Sequence, residues 1–216
     1  MKNDTEIKYF LTGFGWFADG YTGSHNSVDS GMLFDRKLHF KKEFKNFGRL
    51  DEDSRVVCAA LSSLLGETGL YPSQVPLSYP VLFTSTNASM PADIYYFRDF
   101  ISFGEMAGRA NLFVYTLPTS PLGEASVHFG LTGPLLFTDS SSLANMITDY
   151  SAVYTPSAFI IGFLENKSGA SGALFMSFSA GKNGQDENLS SDCLMEFSEK
   201  TLYEKREYLL KNWKRL

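Results

Sequence analysis

The stretch Leu117–Leu143, LPTSPLGEASVHFGLTGPLLFTDSSSL, decides how this chain is read. Small residues from Ser120 to Gly130 predict a helix that runs into Leu131-Thr132-Gly133-Pro134. The apolar run Leu135–Phe137 then predicts a short buried strand. Asp139-Ser140-Ser141-Ser142 follows, and a helix is predicted over Ser141–Val153. Aspartate and serine suit a helix start, because their side-chain oxygens accept from free backbone N–H groups.

Working outward, Glu6–Gly13 (EIKYFLTG) alternates and is rich enough in β-branched and aromatic residues for a strand. It is expected to end in Gly13-x-Gly15, followed by a polar, glycine-rich loop to about Gly31. A lone GxG lacks the rest of a dinucleotide fingerprint. Asp51 or Asp53 can cap a helix through about Leu65, with Val57, Leu61 and Leu64/Leu65 on one face and Gly66 and Gly69 marking its end. Val81–Thr84 reads as a buried strand, Met90–Gly108 as an aromatic helix and Leu112–Tyr115 as a brief extended piece. Ala158–Leu164 and Gly172–Ser179 read as strands around the turn-rich Asn166–Ser171. Residues 181–193 are expected to be a polar linker, and Met195–Trp213 a closing, partly amphipathic helix. The order β-α-β-α-β-α-β-β argues for an α/β fold with a mixed, mostly parallel sheet, helices on its faces, and an added C-terminal helix. The expected organisation is a domain over residues 1–180, the linker over 181–193 and the helix within 194–216.

The 216 residues are 44% hydrophobic and 15% aromatic, enough for one large core. The two cysteines, Cys58 and Cys193, give no disulfide framework, and Cys58 reads as a buried thiol. With no signal-peptide pattern and no run of 18 apolar residues, a cytoplasmic protein without a membrane span is expected. Net charge is −5, yet residues 36–49 hold six Lys/Arg against one acid, and residues 200–216 six more against two. These read either as solvated faces or as docking patches for an acidic partner. No nucleic-acid motif accompanies them.

The helix, L-x-G-P, buried strand and small-residue elbow resemble the nucleophile region of β-ketoacyl synthases, which have the thiolase-like fold. Leu11-Thr12-Gly13-Phe14-Gly15-Trp16 resembles that family's first strand, and Leu50-Asp51 through Glu67-Thr68-Gly69-Leu70 its early helix and closing turn. Gly169–Phe178 resembles the strand after the hairpin of the family's N-terminal half. The resemblance covers most of Glu6–Ala180 and implies one half of the thiolase fold.

In that family the elbow carries a cysteine, which accepts an acyl chain as a thioester. Counting from Gly133 places the nucleophile position at Ser142; matching the serine run places it at Asp139. Neither gives a cysteine, and a serine needs an adjacent base. The resemblance puts both catalytic histidines in the C-terminal half, which this chain is expected to lack. His25 and His39 read as surface residues and His128 as a packed helix-end residue. No metal-ligand spacing occurs, and no cofactor is expected.

The resemblance further implies that Phe97, Phe100, Phe103 and Met106 could gate an acyl tunnel, against a reading as plain core. Lys37, Lys41, Lys42, Lys45 and Arg49 are candidates for docking an acyl carrier protein. The expected function is a non-catalytic, chain-length-factor-type subunit. Its partner would be a ketosynthase or a second copy, in fatty-acid or polyketide-type (aryl polyene or flexirubin-like) biosynthesis. The alternative is an acyltransferase or thioesterase using Ser140–Ser142.

Overall fold

The computed structural model describes residues 8–26, 31–72, 75–104, 109–139, 143–167, 170–181, 197 and 200–212. Its strands are β1 (Lys8–Ala18), β2 (Tyr21–Ser24), β3 (Met32–Leu33), β4 (Val81–Ser85), β5 (Leu135–Thr138), β6 (Ala158–Lys167) and β7 (Ala170–Gly181). Its α-helices are α1 (Arg36–His39), α2 (Glu52–Glu67), α3 (Met90–Phe103), α4 (Ala110–Phe113), α5 (Ser120–Phe129), α6 (Leu143–Tyr154) and α7 (Leu202–Asn212). One sheet of order β3-β2-β1-β7-β6-β4-β5 holds the strands together.

The pairings make β1, β3, β4, β5 and β6 run one way and β2 and β7 the other. The sheet is thus mixed, as the element order implied, but four of its six strand pairings are antiparallel, so it is less parallel than expected. Parallel strand pairing is confined to β4 with its neighbours β5 and β6, because the β6–β7 hairpin inserts an opposed strand between β6 and β1.

Both faces are buried, which is why the strands read as nearly continuous apolar runs. Val81, Phe83, Ile160, Leu164, Ala173 and Phe175 face a core closed by α2 and α5. Leu82, Phe159, Ile161, Phe163, Leu174 and Met176 face a second core with Ile147 of α6, Phe197, and Leu202 and Leu209 of α7. The C-terminal helix Leu202–Asn212 therefore covers part of the second face, and Phe197 before it is also helical.

Several local expectations change. β1 does not end at Gly13; it runs on to Ala18 and turns through Asp19-Gly20 into β2. The glycines sit inside the strand because α2 lies directly against its backbone. A Cβ on Gly15 would stand 2.3 Å from Leu64 N. Thr12 forms a bulge between Leu11 and Gly13, which shifts the side-chain alternation by one residue. Leu112–Tyr115 is helical, not extended: α4 passes into a 3-10 turn, Val114–Thr116. Residues 182–193 of the expected linker lie outside the described residues.

The L-x-G-P segment has a physical role. Gly130 ends α5 in the left-handed conformation (φ 70°). Leu131 bridges to Leu77, and Gly133 crosses Tyr79 so closely that a Cβ would meet Tyr79 O at 2.2 Å. Pro134 O then accepts from Val81 N, which brings β5 alongside β4.

Candidate functional site

The elbow lies at the carboxyl end of β5, where α/β sheets place their sites. Asp139 is exposed there, and Ser140, Ser141 and Ser142 lie outside the described residues. His128 is one strand-length away, at the opposite end of β5, because α5 runs back antiparallel to it. Its ring stacks on Phe44 at 3.9 Å and 5°, and its Nε2 is 3.1 Å from the Tyr71 hydroxyl. Burial, with the Lys42 charge adding, lowers its pKa to about 4, so the imidazole is neutral and packed. His25 and His39 lie half-buried at the surface. His25 packs against Gly13 and Phe14. Cys58 is fully buried in α2, and burial raises its thiol pKa, the opposite of an activated thiolate. Among the described residues no cluster of three His, Cys, Asp or Glu could hold a metal.

The aromatic segment departs from a core reading. None of the residues of α3 is buried. Phe97 and Phe103 are 61% and 63% exposed, Phe100 is half-buried, and Met106 lies outside the described residues. Ile94, Tyr95, Ile101, Phe113, Val114 and Leu117 are also exposed, so α3, α4 and the following 3-10 turn form a lobe with apolar side chains toward solvent. Inside it, Tyr96 meets Phe113 at 5.7 Å, and Arg109 pairs with Asp99 at 3.1 Å while lying over the Phe103 ring. Helical periodicity shows that a face is apolar; it does not show what that face meets.

The basic segment is built as a platform. Lys37, Lys41, Lys42, Lys45 and Arg49 are all exposed. Beneath them Phe40 and Phe47 are buried and pack with Phe34, Phe44, His128 and Phe129. Lys42 N donates to the Tyr71 hydroxyl at 2.9 Å, fixing the loop to the body. Two of the C-terminal cations differ from a solvated face. Lys205 is 4% exposed and sits 4.8 Å over Phe163, with burial lowering its pKa to about 8. Arg206 lies over Trp16 and Tyr203.

A buried polar cluster carries no local signal in the sequence. Asn166, at the end of β6, joins Asp53 of α2 to the turn after β4, and its Nδ2 donates to Asp53 Oδ2 at 2.8 Å. Burial raises Asp53 to a pKa of about 6; hydrogen bonds from Asn166 and Ser171 oppose the shift, and the charges of Asp51 and Glu52 add to it. The folded state thus holds this proton more tightly than the unfolded chain. Its stability contribution is full below about pH 4 and is lost as pH rises through about 6. The 3.8-to-6 shift corresponds to about 3 kcal/mol at most. Asp53→Asn, measured by urea denaturation from pH 4 to 7, should flatten that part of the stability profile. An unchanged slope would place the titration elsewhere, Asp51 being the other carboxyl that burial raises.

No protein-family model and no curated protein matches the sequence. Solved structures do. The ishigamide ketosynthase/chain length factor aligns with TM-score 0.61 at 10% identity, over 84% of this chain and 64% of that one. A chain from the complex of the ketosynthase ApeO with its chain length factor ApeC from Xenorhabdus doucetiae aligns with TM-score 0.57 at 11% identity, over 91% and 93%. A β-ketoacyl synthase from Burkholderia phymatum STM815 aligns with TM-score 0.58 at 15% identity, over 81% and 59%. The chain therefore spans less than two thirds of the ishigamide and Burkholderia chains and nearly all of the Xenorhabdus one. It has the thiolase-like fold found in β-ketoacyl synthases and ketosynthase/chain length factor assemblies.

Proposed function

We propose that this chain is a non-catalytic ketosynthase-like subunit that pairs with an active ketosynthase and shapes the acyl chain that the pair builds. The observation that carries this reading is the α3–α4 lobe, which on this fold holds out a set of large apolar side chains that none of the described residues buries. Such patches mark interaction sites. The chemistry of the elbow agrees, since it has an aspartate and serines where a ketosynthase uses cysteine. The likeness to a chain of nearly equal length in a ketosynthase–chain length factor complex supports the same partner class. Phe97, Phe100 and Phe103 would then border the acyl chain from the partner's side. The platform Lys37, Lys41, Lys42, Lys45 and Arg49 would receive an acidic acyl carrier protein.

Co-expression with the ketosynthase encoded nearest to it tests the reading. The two chains should co-elute as a heterodimer, and Phe103→Ala in this chain should change the length of the product. If the ketosynthase elutes alone and makes the same product with or without this chain, the reading fails.

A further inference from the structure

We propose that Asn166 is a positioning residue for the aromatic lobe, and that its hydrogen bonds, more than apolar packing, set the angle at which the lobe is held out. This rests on the reading of the lobe as the docking element. Asn166 is 3% exposed and uses its whole carboxamide. Its Nδ2 donates to Asp53 Oδ2 at 2.8 Å and to Ala88 O at 3.2 Å. Its Oδ1 accepts from Thr86 Oγ1 at 3.1 Å, from Asn87 N at 3.2 Å and from Ser85 Oγ at 3.4 Å. The backbone is tied at the same point: Asn87 Nδ2 donates to Asn166 O, Asn166 N to Thr86 Oγ1, and Thr86 N to Leu164 O.

Every residue from Ser85 to Ala88 is thus held by β6. Ala88 takes φ 47°, a left-handed conformation that a non-glycine residue keeps only where its surroundings impose it. Two residues later α3 begins; none of its residues is fully buried, and its inner face, Ala92, Tyr96, Asp99 and Phe100, is half-buried. At its other end the lobe is tied to α5 chiefly by Ser120 Oγ donating to Val114 O and by Tyr115 reaching Glu124. A helix whose inner face is only half-buried, and that against its own lobe, takes its direction largely from its ends. Here the leading end is fixed by one buried amide and by the α2 carboxylate beneath it.

Asparagine is required by this logic because the site needs a donor toward Asp53 and an acceptor toward the turn. Asn166→Asp would set two carboxylates against each other. The charged groups acting on Asp53 are then Asp51 and Glu52 of α2, while Ser85–Ala88 and Ser171 bring none. Exchanging the pair, Asp53→Asn with Asn166→Asp, returns a donor–acceptor contact with its direction reversed.

Amide hydrogen exchange on the full chain tests this, with rates corrected for their intrinsic pH dependence. Asn166→Asp at pH 7.5 should speed exchange in residues 87–103 at least ten-fold and leave α2 and β7 within two-fold. At pH 5, where one carboxyl of the pair takes up a proton, most of that acceleration should disappear. The double variant should restore protection at pH 7.5. Uniform acceleration over the whole chain, an unmoved lobe, or no rescue by the exchange would each overturn the proposal. A ketosynthase pull-down separates the two readings. Weaker capture by the single variant, recovered in the double, supports both. A loosened lobe with undiminished capture would retain Asn166 as the residue that fixes the lobe and remove the lobe as the docking element.

Discussion

Gly15→Ala is expected to cost more than about 4 kcal/mol and to leave little folded protein, since whole domains are held by only about 5–15 kcal/mol. A Cβ at position 15 would stand 2.3 Å from Leu64 N and 2.8 Å from Ala60 O, both backbone atoms of α2. No side-chain rotation relieves such a contact. The helix would have to lift from β1, separating Leu61, Leu64 and Leu65, all fully buried, from the sheet. Gly48→Ala is the control, because nothing lies within 4 Å of its Cβ direction. Urea denaturation of the two variants should show a collapse of stability for the first and a change of a few tenths of a kcal/mol for the second. Comparable midpoints would mean that α2 does not press on β1 as described.

That contact also shows how far the sequence could be read. Gly13-x-Gly15 was visible, but a glycine pair in an alternating run fits two causes, a turn that needs positive φ and a strand that another backbone approaches. Only α2, which follows β1 after β2, β3 and α1 and packs back on it, decides between them. The order of elements was legible because each strand that is buried on both faces is an apolar run bounded by glycine or by a capping residue, as Asp51 caps α2 by accepting from Ser54 N at 2.9 Å. The L-T-G-P segment was legible as a stop, while its cause, the crossing over Tyr79, is a tertiary contact between residues 54 apart.

The site was less legible. Asn166 stands in Glu165-Asn166-Lys167 at the end of an apolar strand, a composition that reads as a turn. Its partners come from 113 and 78–81 residues away, so no local pattern marks it. Lys205 misled in the same way. A lysine in a charged helix reads as solvated, yet Phe163 and Phe197 of the second core give it aromatic faces to lie against. The α3 aromatics were conspicuous, but their exposure was not, since a helix that turns its apolar stripe outward has the same sequence as one that turns it inward.

Exposure of that stripe carries the second large prediction. Phe97 and Ile101 are one helical turn apart on α3, and they are 61% and 66% exposed. Replacing both with glutamate removes no buried contact, so the isolated chain should keep its melting temperature and become less prone to self-association. On the proposed reading, the same change puts two charges where the partner's apolar surface would close, and each would be buried without a counter-ion. Affinity for the ketosynthase should fall at least 100-fold, about 2.7 kcal/mol. Titration calorimetry or size exclusion of the mixed proteins reads this directly. Lys41→Glu with Lys45→Glu, on the platform over α2 and α5, should leave that affinity nearly unchanged and weaken carrier-protein binding instead. If the lobe variant still binds the ketosynthase at full strength, the apolar stripe is not the contact. If it loses its fold, α3 is packed more deeply than its exposure shows. A folded chain that no longer holds the ketosynthase is the one outcome that makes the lobe an interface, because only there do intact structure and lost assembly occur together.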